Sequence, residues 1–200
     1  MHNEVSFPLH AERGAAYLTA PNIAARHAFS TRLGGVSTGV LESLNLSVRR
    51  GDTPENVREN WRRLGAAAGL DLTRAVYAQQ VHSAEVRIAH AADAQPPELE
   101  PRFTCDGFVT NEPGVPLAVF MADCLPALLH EPLGALVRPR ADGKALLDLK
   151  GVNARRLAQL GVPAGQIAVS DACTMCWPDV FWSHRATNGQ RGVQAAVITM

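Results

Sequence analysis

The sequence predicts an α/β fold made as a single domain over residues 1–200. Short β-branched or apolar runs alternate with segments of helical spacing, which is the signature of mixed α/β architecture. Gly- and Pro-bearing turns such as Gly34-Gly35 and the loop 91–102 separate several of these segments. A chain of 200 residues with 46% hydrophobic content is also long enough to bury one core.

Taken in order, residues 17–22 (YLTAPN) and 25–32 (ARHAFSTR) read as strands, followed by a loop in which Gly34 and Gly35 allow close backbone approach. The clearest helix follows. Thr53 can cap it, Pro54 suits its first turn, Val57, Trp61, Leu64 and Ala68 recur at helical spacing, and Gly69 ends it. Residues 75–90 (AVYAQQVHSAEVRIAH) read as two short strands joined near His82, and residues 91–102 as a proline-bearing loop. GFVT at 107–110 and VPLAVFMADC at 115–124 follow as strands, the second an apolar run of the kind buried on both faces, with Cys124 at its end. Residues 126–137 then resemble a hairpin turning at EPLG, residues 138–144 a polar turn, and residues 146–162 a helix closed by Gly161 and Pro163. A strand over 166–174 and a last apolar strand ending the chain complete the pattern.

Nineteen basic residues balance nineteen acidic ones, so net charge offers nothing to a nucleic acid or an anionic membrane surface. No apolar stretch is long enough to span a bilayer, and the first residues lack the layout of a secretory signal, so the chain is expected in the cytoplasm. Cys105, Cys124, Cys173 and Cys176 do not make the disulfide framework of a small secreted domain. Cys173 and Cys176 have C-x-x-C spacing, but no second Cys or His pair matches it, which weakens a zinc-ribbon or thioredoxin reading.

Two stretches concentrate the chemistry. QQVHSAEV around His82 and MADCLPALL around Cys124 each set a soft ligand or nucleophile beside an apolar run; a satisfied core residue is the alternative for either alone. Arg32, beside the Gly34-Gly35 loop, offers a planar donor fork next to accessible backbone N–H groups, the chemistry of an anion site, or else is a surface arginine in a tight turn.

HAFSTRLGGVS, SLNL, GD-x-P-E-x-V-x-x-N, QVH, PGVPLAV and ADCLP occur in one order along the chain. In that order they resemble the laccase-domain, or YfiH-like polyphenol oxidoreductase-type, family, whose members are regarded as purine nucleoside phosphorylases with adenosine deaminase activity. The resemblance implies a four-layer α/β/β/α fold with mixed sheets. It also implies a metal site, zinc rather than copper, built from the His of Q-V-H, the Cys of A-D-C and a second His. The first two fall on His82 and Cys124, which are thus expected side by side as metal ligands and catalytic residues. Phosphate or substrate binding falls on Arg32, Gly34, Gly35 and Asn45, with Arg32 lining the same cleft.

The third ligand has no counterpart. In the family it stands in an H-A-G-W-R-G motif soon after the hairpin that follows A-D-C, and no H-A-G-W occurs in this chain. The resemblance runs from about Ala25 to Val137 and resumes at Arg138, so an internal segment of several tens of residues is missing at 137–138: either the chain is shortened or its sequence omits a segment. His130, on the hairpin after Cys124, reads as a surface histidine, and His2, His10, His27, His90 and His184 have no better claim. Near the C-terminus SHRA keeps Arg185 where the family has S-Y-R-R, while Val193 stands where the arginine of T-G-R would be.

The function this implies is zinc-dependent phosphorolysis of a purine nucleoside (adenosine, inosine, guanosine or methylthioadenosine) with adenosine deamination, by a monomer or homodimer whose partners are the nucleoside and phosphate. Two alternatives stay open: a shortened, inactive member that binds metal or a partner, and a hydrolase using Cys124 with His82 as base. A multicopper oxidase would need clustered histidines, and seven scattered ones with no H-x-H pair do not supply them.

Overall fold

The structure, a computed structural model, describes residues 4–11, 13–122 and 134–200. Its strands are β1 (Glu4–Val5), β2 (Leu9–His10), β3 (Tyr17–Leu18), β4 (Arg26–Ser30), β5 (Val86–Ile88), β6 (Gly107–Val109), β7 (Leu117–Met121), β8 (Val137–Pro139), β9 (Ala145–Leu147), β10 (Val169–Ser170) and β11 (Gln194–Thr199). Helix α1 spans Pro54–Ala68 and α2 spans Leu149–Gln159. The largest sheet has five antiparallel strands in the order β2-β3-β4-β11-β7. The C-terminal β11 lies between β4 and the edge strand β7, with Val197 opposite Ala28 on one side and Ala118 on the other. Three further two-stranded units are the parallel pairs β1·β10 and β5·β6 and the hairpin β8·β9. The fold is mixed α/β.

The α1 helix forms where the sequence says it should. The Thr53 hydroxyl accepts the Asn56 N–H (3.2 Å), Pro54 occupies the first turn, and Gly69 closes the helix at φ 67°. Its apolar stripe places Val57, Trp61 and Leu64 in the core with Leu44, Leu46, Ala28, Ala118 and Val197. Trp61 is fully buried and still satisfied, its indole N–H donating to the Leu46 carbonyl (3.0 Å).

Several elements differ from the sequence reading. Of residues 75–90 only Val86–Ile88 is a strand, because Ala75, Val76 and Gln79 make single bridges to three different partners rather than one ladder. Of the run 115–124 the described residues, 115–122, are half-buried rather than buried on both faces: Ala118 and Phe120 pack on the α1 core, while Leu117 packs on a small second cluster of Val76, Ala89, Ala94 and Val115. Helix α2 starts later than expected, since Asp148 caps it by accepting the Gly151 N–H (2.9 Å) and Leu146 and Leu147 belong to β9. The polar turn at 138–144 is the tip of the β8·β9 hairpin, closed by Arg140 N–H to the Lys144 carbonyl (2.8 Å). Val137 and Arg138 are consecutive residues of β8. Cys124, His130 and most of the EPLG turn lie outside the described residues.

Candidate functional site

A cleft of about 720 Å³ opens at the end of β7. It gathers two histidines, His82 and His184, four arginines, Arg49, Arg50, Arg185 and Arg191, and aromatic surface from Tyr77 and Phe120. The two rings meet edge-on, with centroids 6.0 Å apart. The Tyr77 hydroxyl lies 2.7 and 2.9 Å from the carbonyls of Pro96 and Leu99 and accepts from Gln95 Nε2, so it pins the 91–102 loop to the cleft rim. Burial pushes the phenol up to about 12, so it stays protonated.

His82 reaches the cleft because its segment runs along β7. Val76 bridges Leu117 in parallel, exchanging hydrogen bonds with Pro116 and Ala118 (2.8 and 2.9 Å), and Gln80 Oε1 accepts the Phe120 N–H (2.6 Å). Met121 and Ala122, which continue β7 toward Cys124, line the same cleft as His82. The exposed His82 adopts φ 61°, unusual for a non-glycine residue. Asp106 holds that turn: its carboxylate accepts the N–H groups of Val81 (3.3 Å), His82 (2.9 Å) and Ser83 (2.7 Å) and the Ser83 hydroxyl (2.8 Å). Desolvation opposes ionisation of Asp106, but these donors outweigh it and hold the carboxyl down at about 2.

The basic residues come from two other turns. Arg49 and Arg50 sit on the single turn Val48–Arg50, opened by the Ser47 hydroxyl accepting the Arg49 N–H (3.2 Å) and closed by Gly51 at φ 84°. His184 and Arg185 follow the buried Trp182 and Ser183, where the Ser183 hydroxyl accepts the Ala186 N–H (3.2 Å) and the His184 carbonyl accepts the Gly189 N–H (2.9 Å). Four guanidinium groups around one cleft make it a candidate for an anionic ligand.

Arg32, Gly34, Gly35 and Asn45, expected to bind phosphate or substrate, do not line this cleft. All three guanidinium nitrogens of Arg32 are committed to backbone carbonyls: Nε and Nη2 to Glu42 (3.0 and 2.6 Å) and Nη1 to Pro178 (2.9 Å). The same group lies 4.2 Å from the Trp182 ring centroid. Arg32 is a clamp between the loop and the C-terminal segment, with its fork already filled. Gly34 and Gly35 are required by the protein's own backbone, since a Cβ would stand 2.1 Å from the Gly14 carbonyl oxygen and 2.0 Å from that of Ser43. Asn45 is fully buried, donating to the Ser47 carbonyl and Asp52 Oδ2 (2.9 and 2.8 Å) and accepting the Val193 N–H (3.1 Å).

Much of the recognisable motif G-D-x-P-E-x-V-x-x-N has the same scaffolding role. Asp52 accepts from Ser37, Asn45, Thr53 and Asn56, and buried Asn60 accepts the Val36 N–H (2.8 Å) while donating to Ser37 Oγ and the Asn45 carbonyl (2.8 and 2.7 Å). The sequence reading missed Arg49, Arg50 and Arg191 and set His184 aside. The Arg49-Arg50 pair stands directly before Gly51-Asp52, so a signal was present; for Arg191 and His184 only the fold supplies one. Among the described residues no three His, Cys, Asp or Glu side chains are grouped to hold a metal.

With the geometry in place, the chain falls into a class defined by a mixed α/β core and a cleft at the end of β7. The chain belongs to the multi-copper polyphenol oxidoreductase laccase family, whose model matches residues 26–138 and 133–200. It is similar to the purine nucleoside phosphorylase of Deinococcus radiodurans, with 43% identity over 124 residues covering 62% of this chain and 46% of that protein. It is also similar to the purine nucleoside phosphorylase YlmD of Geobacillus stearothermophilus, with 27% identity over 240 residues covering 84% of this chain and 88% of the relative. The crystal structure of YlmD superposes with a TM-score of 0.83 at 26% identity, covering 96% of this chain and 98% of that one. The chain spans about half the length of the first curated relatives it matches. The YlmD alignment is longer than the 200 residues of this chain, and the two stretches matched by the family model meet at 133–138.

Proposed function

We propose that the cleft at the end of β7 binds a purine nucleoside and phosphate, and that the chain is a purine nucleoside phosphorylase of this family shortened by one internal segment at 137–138, within a single domain over 1–200. The observation that carries this reading is the parallel course of residues 76–80 beside β7, which brings His82 to the same cleft wall as Ala122, two residues before Cys124. His82 and Cys124 offer an imidazole and a thiolate, the donor types zinc takes, and they are the residues that would hold it. Zinc, when bound, supplies a water ionised near neutral pH that can attack C6 of adenine in deamination.

The chain's own groups supply the rest. Arg49, Arg50, Arg185 and Arg191 neutralise phosphate and orient it toward the ribose C1′, while Phe120, backed by the buried Tyr77, takes the base. Asp106 fixes the turn that presents His82. Loss of the H-A-G-W segment removes the third metal donor, so this form is expected to bind zinc weakly and turn over nucleosides slowly. The name of the family does not argue for copper oxidase chemistry here, because the histidines are too few and too scattered for a copper cluster.

The test is turnover of inosine in phosphate buffer, read as hypoxanthine and ribose 1-phosphate, alongside zinc content by elemental analysis. Slow, phosphate-dependent turnover that His82→Ala abolishes would support the reading. Full activity in the 200-residue chain would show the third ligand to be dispensable, whereas phosphate-independent hydrolysis without zinc would favour a Cys124–His82 hydrolase. Binding of nucleoside without any turnover would point to an inactive binding protein.

A further inference from the structure

Cys173 and Cys176 lie outside the cleft, in the turn between β10 and the buried Trp182. The turn is closed by the Trp177 N–H on the Cys173 carbonyl (3.0 Å), and the Cys176 N–H donates to Cys173 Sγ (3.4 Å). The pair is thus joined across one turn, with the backbone of Cys176 held against the sulfur of Cys173. A disulfide needs Cα atoms about 4.4–6.8 Å apart, and a single closed turn brings its ends to about that separation. Cys173 is half-buried and Cys176 is exposed, so a small molecule can reach the pair from solvent.

The environment of the sulfurs is asymmetric. Burial opposes ionisation of Cys173, but the Cys176 thiol, the N–H groups of Cys176 and Met175 and the Lys150 ammonium outweigh it and hold the thiol below its usual range. Lys150 is itself held beside the turn by its bond to the Ser170 carbonyl (2.8 Å). Cys176 moves the other way, pushed up by the same thiol hydrogen bond and by charge on Cys173. One thiol is therefore set to ionise first and the other to stay protonated beside it.

We propose that Cys173 and Cys176 are a redox site that closes to an intramolecular disulfide by exchange with a low-molecular-weight disulfide, Cys173 attacking and Cys176 resolving. The Cys173 thiolate attacks one sulfur of R–S–S–R; a Cys173–S–S–R bond forms, the original S–S bond breaks, and RS⁻ leaves and takes up the proton Cys173 gave to solvent. The Cys176 sulfur then attacks Cys173 Sγ, losing its proton as the Cys173–Cys176 bond forms and the second RS⁻ departs as RSH. The pair is oxidised by two electrons and R–S–S–R is reduced to two RSH.

The reduced full chain is incubated with oxidised glutathione, quenched in acid, alkylated and digested with trypsin, which leaves both cysteines in one peptide spanning residues 157–185. The expected product is that peptide short of two hydrogens and free of glutathione, while Cys176→Ser stops at a glutathione adduct on Cys173. In the reduced protein at neutral pH, iodoacetamide should label Cys173 at least about tenfold faster than buried Cys105, because only the thiolate reacts. Glutathione retained on either cysteine of the unaltered chain would overturn the proposal, as would labelling of Cys173 no faster than Cys105. Protection of both thiols that a chelator lifts would overturn it too, by showing a dithiol held by metal.

Discussion

The glycine loop and the His82 turn are each organised by one aspartate, and they use it in opposite ways. Asp52 collects side chains, from Ser37, Asn45 and Asn56, in a loop where Arg32 and Asn45 bond to backbone carbonyls. Asp106 collects backbone N–H groups, from Val81, His82 and Ser83, and leaves the His82 imidazole exposed at the cleft. Both carboxyls are held below the usual carboxylate range by these donors, against the burial that opposes it. The density of recognisable motif is greater in the loop, yet the open chemistry is in the turn. A motif can persist in sequence because a backbone must pass another backbone, with no ligand involved.

The comparison is broken most severely at Gly35. Gly35→Ala places a methyl 2.0 Å from a backbone oxygen that no side-chain rotation can move, so we expect a loss of more than about 4 kcal/mol in urea denaturation, up to failure to fold. Asn60→Ala should cost about 3 kcal/mol, since it strands the buried Val36 N–H and the groups that Asn60 joins. Arg32→Ala should cost about 2 kcal/mol by freeing the Glu42 and Pro178 carbonyls, with phosphate affinity unchanged. Weaker phosphate binding with unaltered stability in that variant would return Arg32 to the ligand site.

Acid titration sharpens the same contrast. The carboxyl of Asp52 is lowered in the fold, so its contribution to stability is complete above about pH 4 and is lost as pH falls through the lowered value. Asp52→Asn should therefore be less stable at neutral pH and show a flatter stability profile in acid; a parallel profile would remove Asp52 from the account. The smallest effects on stability belong to the cleft. His82→Ala and Arg185→Ala, both exposed, should change unfolding free energy by no more than about 0.5 kcal/mol while weakening nucleoside or phosphate binding measured by calorimetry.

What the sequence disclosed follows from the range of the interactions involved. Helix α1 was legible from Thr53 to Gly69 because caps and apolar spacing are local. The place of His82 beside the strand leading to Cys124 was inferred from resemblance, and the physical reason, Gln80 reaching across to Phe120, is a contact 40 residues away in the chain. A planar fork beside two glycines, as at Arg32, looks the same in sequence whether carbonyls or a phosphate meet it. Two of the Arg32 bonds go to the Glu42 carbonyl, ten residues on, and the third to Pro178, 146 residues further on. His184 and Arg191 were opaque for the same reason: their value comes from sharing a cleft with His82, and nothing in their own neighbourhoods marks it.

The central claim is that ligand binds at the His82 cleft and not at the glycine loop, and an NMR titration with inosine and phosphate tests it directly. With imidazole Cε1–H and backbone amide signals followed together, the His82 and His184 resonances should move in a saturable way while the Gly34 and Gly35 amides stay fixed. Saturable shifts at Gly34 and Gly35 with the two histidines unmoved would place the site at the loop and contradict the account.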